Sequence, residues 1–204
     1  MPTRREFDSH SPLFKKIKEK INKLEQKLEK DINIKNRNSL KSLEKLYKHM
    51  NKIESIIKPF TPCNIRCSNC CKIDVSVSYL EIHLIEKYLL EKKINVITRK
   101  IDNISSIFSK EKEGKVIGYM CSGKDCPFLE NEKCIIYEVR PYYCREFMVF
   151  EDNNEKCGYN DKETRQLNQF LKRELYDNII TQNRNITEKN QISFEIRDCF
   201  VKQK

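Results

Sequence analysis

The segment Thr61-Pro-Cys-Asn-Ile-Arg-Cys-Ser-Asn-Cys-Cys71 holds four cysteines, and the segment CPFLENEKCIIYEVRPYYCREF at 126–147 holds three more of the ten in the chain. Thiolates are soft ligands, and several on a short, tightly turned segment can converge on one ion without closing a long loop. Such a donor set suits zinc, iron or an iron-sulfur cluster. The sequence therefore predicts a metal site whose ligands are Cys63, Cys67, Cys70, Cys71, Cys126, Cys134 and Cys144.

Disulfide bonds are the alternative use of these cysteines, because an even cysteine count in a secreted chain normally indicates a covalent framework. The N-terminus is charged and lacks the apolar core of a signal peptide, and no segment approaches the roughly 20 apolar residues of a membrane span. We therefore expect a cytoplasmic protein with reduced thiols and no membrane contact. The adjacent Cys70 and Cys71 also fit poorly as a simple pair, since vicinal disulfides are strained.

Composition limits the remaining possibilities. The 204 residues suggest one domain or one domain with an appendage, and the 38% hydrophobic and 34% charged shares predict a modest apolar core. A metal site would add cross-links that such a core lacks. With only four glycines and no phosphate-binding or dinucleotide motif, nothing indicates a P-loop or Rossmann-type enzyme.

Most of the positive charge lies at the N-terminus. Residues 1–60 contain 16 Lys and Arg and 8 Asp and Glu, a surplus of +8 within a net charge of +10. Two amphipathic helices, separated by an Asn-rich break at 33–38, are predicted there as an antiparallel hairpin or a dimer contact. Their apolar positions are Ile17, Ile21, Leu24 and Leu28, then Leu40, Leu43, Leu46, Met50, Ile53 and Ile57. We expect a basic helical arm at 1–60 and a cysteine-cluster domain with a C-terminal helix at 61–204.

The fold class predicted is mainly α, with a small irregular and β cysteine-rich metal-binding core and an N-terminal helical hairpin. Pro59 and Pro62 should end the second helix. Ser78 and Glu81 form a capping-box pattern that should start a third helix. Further predicted elements are a helix through Ile97, Ile101, Ile104 and Phe108 to Lys112, strands at 115–121 and 134–137, a turn at 130–133, and a helix at 162–181.

Spacing within the first cysteine segment bears on the number of ions. Two residues between Cys67 and Cys70 allow a tight turn to aim both sulfurs at one centre. Adjacent side chains diverge, so we expect Cys71 to point away from Cys70, toward a second ion or the interior. Structural zinc sites close at four ligands, and seven cysteines indicate a second centre or a polynuclear cluster.

The sequence resembles the cysteine-cluster family called CxxCxxCC or YkgJ-type, described as a zinc- or iron-chelating domain. The resemblance covers Pro62 to Phe147, and its second half carries four motif elements in order: Cys126-Pro-Phe-Leu129, Cys134-Ile-Ile-Tyr137, Arg140-Pro141 and Cys144-Arg-Glu-Phe147. One departure is the three residues between Cys63 and Cys67, where the family name implies two. The resemblance implies metal chelation by the seven cysteines, and for most members it implies no known reaction.

Four further residues, two cysteines and two arginines, have two interpretations each, and one further cysteine has a single one. Cys121 and Cys157 either complete a ligand set or are small buried side chains, and Cys199 is expected to be a bystander. Arg140 and Arg145 either donate hydrogen bonds to thiolates, whose charge they would offset, or form structural salt bridges.

Three functions follow from these patterns. The first is a protein that chelates zinc or iron, with the arm as a contact for an unknown protein partner. The second is an iron-sulfur redox or methyl-transfer component, since the larger flagellin lysine N-methylase proteins look similar through a related cysteine cluster, although no S-adenosylmethionine site is recognisable here. The third is nucleic-acid binding by the arm on a zinc scaffold, which we disfavour because the composition is biased toward Lys and the arm has few aromatic residues.

Overall fold

The structure is a computed structural model, and it describes residues 11–32, 40–63, 67–72, 75–98, 125–150, 167, 170–172, 175–176, 179 and 194–202. Its α-helices are α1 (Pro12–Asp31), α2 (Leu40–Ile57), α3 (Tyr79–Lys92), α4 (Tyr142–Glu146) and α5 (Ile196–Cys199). Its strands are β1 (Ser76–Val77), β2 (Val96–Thr98), β3 (Leu129–Glu130), β4 (Lys133–Cys134), β5 (Phe194–Glu195) and β6 (Phe200–Lys202). Short 3-10 helices cover Lys58–Phe60, Asn69–Lys72 and Tyr137–Val139. The prediction of a mainly α fold is confirmed.

The N-terminal helical pair is also confirmed. Ser11 caps α1 by accepting the amide of Phe14 at 3.1 Å, and Pro12 occupies the first turn, where its missing amide costs nothing. The ammonium group of Lys45 in the first turns of α2 donates to the carbonyl of Asp31 at the end of α1. The apolar faces of both helices are buried within this chain, so a dimer contact or protein partner for the arm stays a prediction.

Helix α2 ends where the prolines predict. Its last α-helical residue is Ile57, and Pro59 lies in the following 3-10 turn. Thr61 is then extended, which turns the chain into the first cysteine segment.

Helix α3 separates two apolar cores, and it begins with the predicted capping box. Ser78 accepts the amide of Glu81, while the Glu81 carboxylate accepts the amide of Ser78. One side of α3 places Leu80 and Leu84 in a core with α1, α2 and described residues that lie later in the chain, namely Tyr142, Met148, Phe150, Leu167, Phe170, Leu171, Tyr176 and Ile179. The other side places apolar residues in a second core with the strands and α5, whose members are Val75, Val77, Ile82, Ile85, Leu89, Val96, Phe128, Ile136, Ile196, Cys199 and Phe200.

The carboxylate of Glu81 joins three helices. It is fully buried, and besides capping α3 it accepts the hydroxyl of Tyr47 on α2 at 2.9 Å and the amide of Tyr142, the first residue of α4, at 2.8 Å. A buried carboxylate is costly unless it is hydrogen-bonded, and here three donors meet that need. Glu81 therefore fixes α4, which carries Cys144, relative to α2 and α3.

The strands form three small antiparallel pairs: β1 with β5, β2 with β6, and β3 with β4. The predicted turn at 130–133 is confirmed as a two-residue hairpin, with Asn131 and Glu132 both at positive φ, as such turns require. The predicted strand at 134–137 is shorter, because the chain turns into a 3-10 helix at Tyr137.

Two predicted helices need correction. Ile97 was expected to begin a helix, but Val96–Thr98 is a strand because it pairs with Phe200–Lys202, a contact that local spacing cannot reveal. The rest of that helix and the predicted strand at 115–121 lie outside the described residues. In the predicted helix at 162–181, the described residues 167 and 170–171 form turns, whereas Leu175, Tyr176 and Ile179 are helical.

The first core contains residues from both sides of the boundary predicted at residue 60, for example Ile53 and Tyr142. The division into an arm and a cysteine domain stays a prediction. No helix in the described ranges is long and apolar enough to cross a membrane.

Candidate metal centre

All seven predicted ligands line one cavity of about 60 Å³. Neither these seven cysteines nor Cys199 takes part in a disulfide bond, so the described cysteines contain no disulfide. The rest of the wall is apolar apart from two arginines, and it consists of Val75, Phe128, Ile136, Tyr137, Arg140, Pro141, Phe147, Met148, Ile196 and Arg197. The structure thus brings the two distant cysteine segments to a single place.

Tight turns position the first segment. Thr61 accepts the amide of Cys63 through its hydroxyl at 3.1 Å, which fixes the chain as it leaves α2. The 3-10 turn Asn69–Lys72 is closed by a bond from the amide of Cys71 to the carbonyl of Ser68 at 2.9 Å. Short turns of this kind allow neighbouring thiols to face a common centre.

The β3–β4 hairpin and α4 position the second segment. Cys126 precedes β3 and accepts the amide of Leu129 through its carbonyl, and Cys134 ends β4. After the 3-10 turn at Tyr137–Val139, Pro141 is the N-cap of α4, in which Cys144 is the third residue. The three thiols therefore approach the cavity from three separate elements.

The carbonyl oxygen of Cys71 joins the two segments and the C-terminus. It accepts the amide of Cys126 at 3.1 Å and the Nη2 group of Arg197 at 2.8 Å. Arg197 is held in turn by Glu195, whose carboxylate it contacts at 2.7 Å, and the same carboxylate accepts the amide of Val75. Strand β5 and helix α5 thus complete the cavity wall.

Cys71 contradicts one expectation. It was expected to point away from Cys70, yet both residues line the same cavity. The reason is that the short 3-10 helix that carries them forms part of the cavity wall. A hydrogen bond from the Cys71 thiol to the Cys70 sulfur lowers the pKa of Cys70 and raises the pKa of Cys71. The adjacent pair is therefore not evidence for two separate sites.

Burial affects the ionisation of the second segment. It raises the pKa of Cys126 to about 12 and raises the pKa of Cys134 and Cys144, with nearby sulfurs adding to the effect because thiolates repel one another. Near neutral pH these groups are neutral thiols when no ion is bound. A metal that binds them has to displace their protons.

The donor set fits zinc or iron in kind and number, but the sulfurs do not already meet at one point. Among the described residues, no group of three or more His, Cys, Asp or Glu side chains has an arrangement that would hold an ion. A cysteine side chain has one torsion, and moving between staggered rotamers shifts its sulfur by about 3 Å. Rotation of the cysteine side chains about this torsion can draw the thiols inward within the cavity that they line.

The two arginines of the motif have different partners. Arg145 is 2% exposed, and its three donor nitrogens bind the carbonyls of Arg140 and Glu138 and the side-chain oxygen of Asn51. It therefore holds the backbone between Tyr137 and Cys144, and its cation lies over the ring of Tyr47. Arg140 lines the cavity itself and forms a salt bridge with Glu54 at 2.9 Å. Among the described residues, Arg145 forms neither of the two predicted contacts, a bond to sulfur or an ion pair.

A polar stripe on α2, consisting of Tyr47, Asn51 and Glu54, contacts this second segment. Tyr47 and Asn51 contact Arg145, and Glu54 accepts both Arg140 and the hydroxyl of Tyr137. Sequence reasoning missed this stripe, although the spacings of four and three residues place all three side chains on one helix face. Arg197 was missed too, and no local pattern in the C-terminal tail marks it.

Of the three remaining cysteines, the structure describes Cys199. Cys199 is fully buried in the second core and is absent from the cavity wall. Cys121 and Cys157 lie outside the described residues, so their role as ligands stays a prediction.

Comparison with protein families decides the affiliation. The model of the family named CxxCxxCC, with the description "Putative zinc- or iron-chelating domain", matches residues 62–172, which is more than half of the chain. The chain belongs to the CxxCxxCC family. The resemblance seen in the motifs is thereby confirmed, and all seven cavity cysteines lie within the CxxCxxCC match. Comparison with curated proteins and with solved structures gives no significant match.

The polar stripe of α2 and Arg197 lie outside the CxxCxxCC match. In this chain, residues on both sides of the family region therefore contact the cavity wall or line it.

Proposed function

We propose that the protein chelates zinc or iron through the seven cysteines of the cavity. One observation carries the proposal: the two cysteine segments, more than 50 residues apart, supply seven cysteines without disulfide bonds to one cavity. Membership of a zinc- or iron-chelating family supports the same function. The ligand set is Cys63, Cys67, Cys70, Cys71, Cys126, Cys134 and Cys144, in whole or as a subset of at least four.

The residues supply three things to such an ion. Thiols provide the soft donors, and they bind as thiolates after losing their protons. Phe128, Ile136 and Met148 form an apolar wall that limits the access of water. Arg140 and Arg197 place positive charge beside a centre that several thiolates make negative.

Elemental analysis after purification under anaerobic conditions tests the proposal. We expect zinc or iron at one equivalent per chain or more, and a visible spectrum separates the candidates because zinc-thiolate sites are colourless whereas iron-sulfur clusters absorb. An iron-sulfur spectrum would favour the redox or methyl-transfer alternative. Purified protein with neither metal, and no uptake of zinc or iron on addition, would refute the proposal.

A reducing compartment suits this function. The described cysteines form no disulfide bonds, and an oxidising environment would compete with metal binding by forming them. This supports the proposed cytoplasmic location.

A further inference from the structure

The side chain of Arg140 has one hydrogen-bond donor for which the described residues supply no acceptor. The residue is 7% exposed and lines the cysteine cavity, and its Nε group finds no hydrogen-bond acceptor among the described residues. A buried donor without an acceptor loses its hydrogen bonds to water and gains none in return, so native proteins seldom leave one unless a ligand or ion supplies the acceptor. Sulfur is the candidate acceptor in this cavity, since Arg140 and seven cysteines line the same wall.

The other side of the Arg140 side chain is held firmly. Its Nη2 group donates to the carboxylate of Glu54 at 2.9 Å, and its guanidinium lies 3.7 Å from the centre of the Tyr137 ring. The hydroxyl of Tyr137 donates to the same carboxylate of Glu54. Glu54 thus fixes the guanidinium and the ring on which it stacks, and both side chains belong to the cavity wall.

Arg145 cannot fill this role. Each of its donor nitrogens already binds an oxygen, namely two backbone carbonyls and the side chain of Asn51, and Arg145 is not part of the cavity wall. Of the two arginines in the motif, Arg140 is the one with a donor left for the cavity.

We propose that Glu54, outside the family region, is a positioning residue for the metal centre, and that it holds Arg140 so that the Nε–H group donates a hydrogen bond to a metal-bound thiolate. The inference rests on the proposed function. Hydrogen bonds and positive charge directed at a thiolate stabilise its ionised form and tune the metal that it binds. Helix α2 is then part of the metal site.

Two conservative substitutions in the full chain test the inference, with Zn²⁺ and Co²⁺ as probes. Glu54→Gln removes the charge that orients Arg140, and Arg140→Lys keeps the cation but removes the Nε donor. Zn²⁺ affinity is measured by competition with a chromophoric chelator, and we expect the dissociation constant to rise about 10- to 100-fold in each variant. In the Co²⁺ form the sulfur-to-cobalt charge-transfer band should move to lower energy, because a thiolate that loses a hydrogen bond gives up electron density more readily.

Glu44→Gln is the matched control, since Glu44 lies on the same helix and its nearest ion-pair partner is the exposed Lys87 at 4.0 Å. This control should bind Zn²⁺ within twofold of the wild type and keep its Co²⁺ band. If Glu54→Gln lost helical circular dichroism, Arg140→Lys would decide alone, because it leaves α2 unchanged.

The outcomes separate this inference from the proposed function. Wild-type affinity and an unchanged Co²⁺ band in both variants would overturn the inference, and so would weaker binding with an unchanged band, since that result indicates a merely structural role. Failure of the wild-type protein to bind either ion would instead overturn the proposed function.

Discussion

The amide of Cys126 donates a hydrogen bond to the carbonyl of Cys71 at 3.1 Å, so the two cysteine segments of the chain are joined through their backbones. The bond does not use either thiol, and both thiols line the cavity beside it. Two residues that lie 55 positions apart in the sequence thus share one site. A ligand set divided between the segments follows directly from this contact.

Serine in place of one cysteine in either segment should weaken metal binding. Cys71→Ser and Cys126→Ser keep the backbone bond and nearly the same shape, but they replace a soft donor with a poor one. Loss of a hydrogen-bond partner of a ligand raises the dissociation constant roughly 10- to 100-fold. Loss of the ligand itself should raise the Zn²⁺ dissociation constant by more than that. Chelator competition provides the measurement.

The matched control for these variants is Cys199→Ala, because Cys199 is buried outside the cavity wall. It should lower the thermal midpoint of unfolding while the Zn²⁺ stoichiometry stays that of the wild type. Wild-type Zn²⁺ affinity in Cys126→Ser would contradict a site built from both segments.

Metal binding should release protons and strengthen with pH. Burial raises the pKa of Cys126 to about 12 and raises the pKa of Cys134 and Cys144, so these ligands are protonated near neutral pH. Between pH 6 and 8 the apparent Zn²⁺ affinity should rise about tenfold per pH unit for each proton released. Titration calorimetry in buffers of different ionisation enthalpy counts these protons, and a count of zero is the result that this account cannot accommodate.

The ion pair between Arg197 and Glu195 should contribute strongly to stability. Both side chains are buried, with 6% and 7% exposed. Arg197→Met would leave the Glu195 carboxylate without its partner and would release the carbonyl of Cys71, so we expect a loss of about 3–5 kcal/mol in the free energy of unfolding. Urea denaturation measures the loss.

The double variant Glu195→Gln with Arg197→Met removes both charges and should recover more than half of that loss, since no buried charge remains unpaired. If the single and double variants were equally unstable, the buried charge would not be the cause.

Local patterns in the sequence predicted the elements whose determinants are local. Ser78 and Glu81 cap α3 as expected because both partners of a capping box lie within four residues, and Pro59 stops α2 through its own missing amide. The N-terminal helices were predicted because their apolar residues repeat at helical spacing over many turns.

Long-range contacts account for the failures. Ile97 has helical spacing with the residues after it but pairs as a strand with Val201, about 100 residues away. In the structure, Arg140 donates a hydrogen bond to Glu54 on α2. The charge count of the sequence indicated only that this helix belongs to a basic region. All seven cysteines were identified from their spacing and from a resemblance to the family, but their convergence on one cavity required the fold.

A buried histidine should make stability depend on pH. Burial lowers the pKa of His49 to about 4, and its Nε2 atom lies 2.9 Å from the hydroxyl of Tyr176. The unfolded chain, with a histidine pKa near 6.5, binds more protons than the folded chain between pH 4 and 6.5. The stabilising contribution is therefore complete above pH 6.5 and is lost as the pH falls through this window, by at most about 1.4 kcal/mol per unit.

The substitution His49→Gln should remove this dependence. Chemical denaturation of both proteins at several pH values gives the difference in their free energies of unfolding, and that difference should shrink from pH 6.5 to pH 4. Burial raises the pKa of Glu25, so its contribution to stability changes with pH in the opposite direction. Because Glu25 is present in both proteins, this contribution cancels in the difference between their free energies of unfolding. A difference that does not vary with pH would show that His49 titrates normally.

X-ray absorption spectroscopy at the edge of the bound metal tests the central claim most directly, because it reports which atoms surround the ion. For zinc in the full chain, the account predicts a first shell dominated by sulfur at about 2.3 Å. A shell dominated by nitrogen or oxygen at about 2.0–2.1 Å would contradict chelation by the cysteines of the cavity.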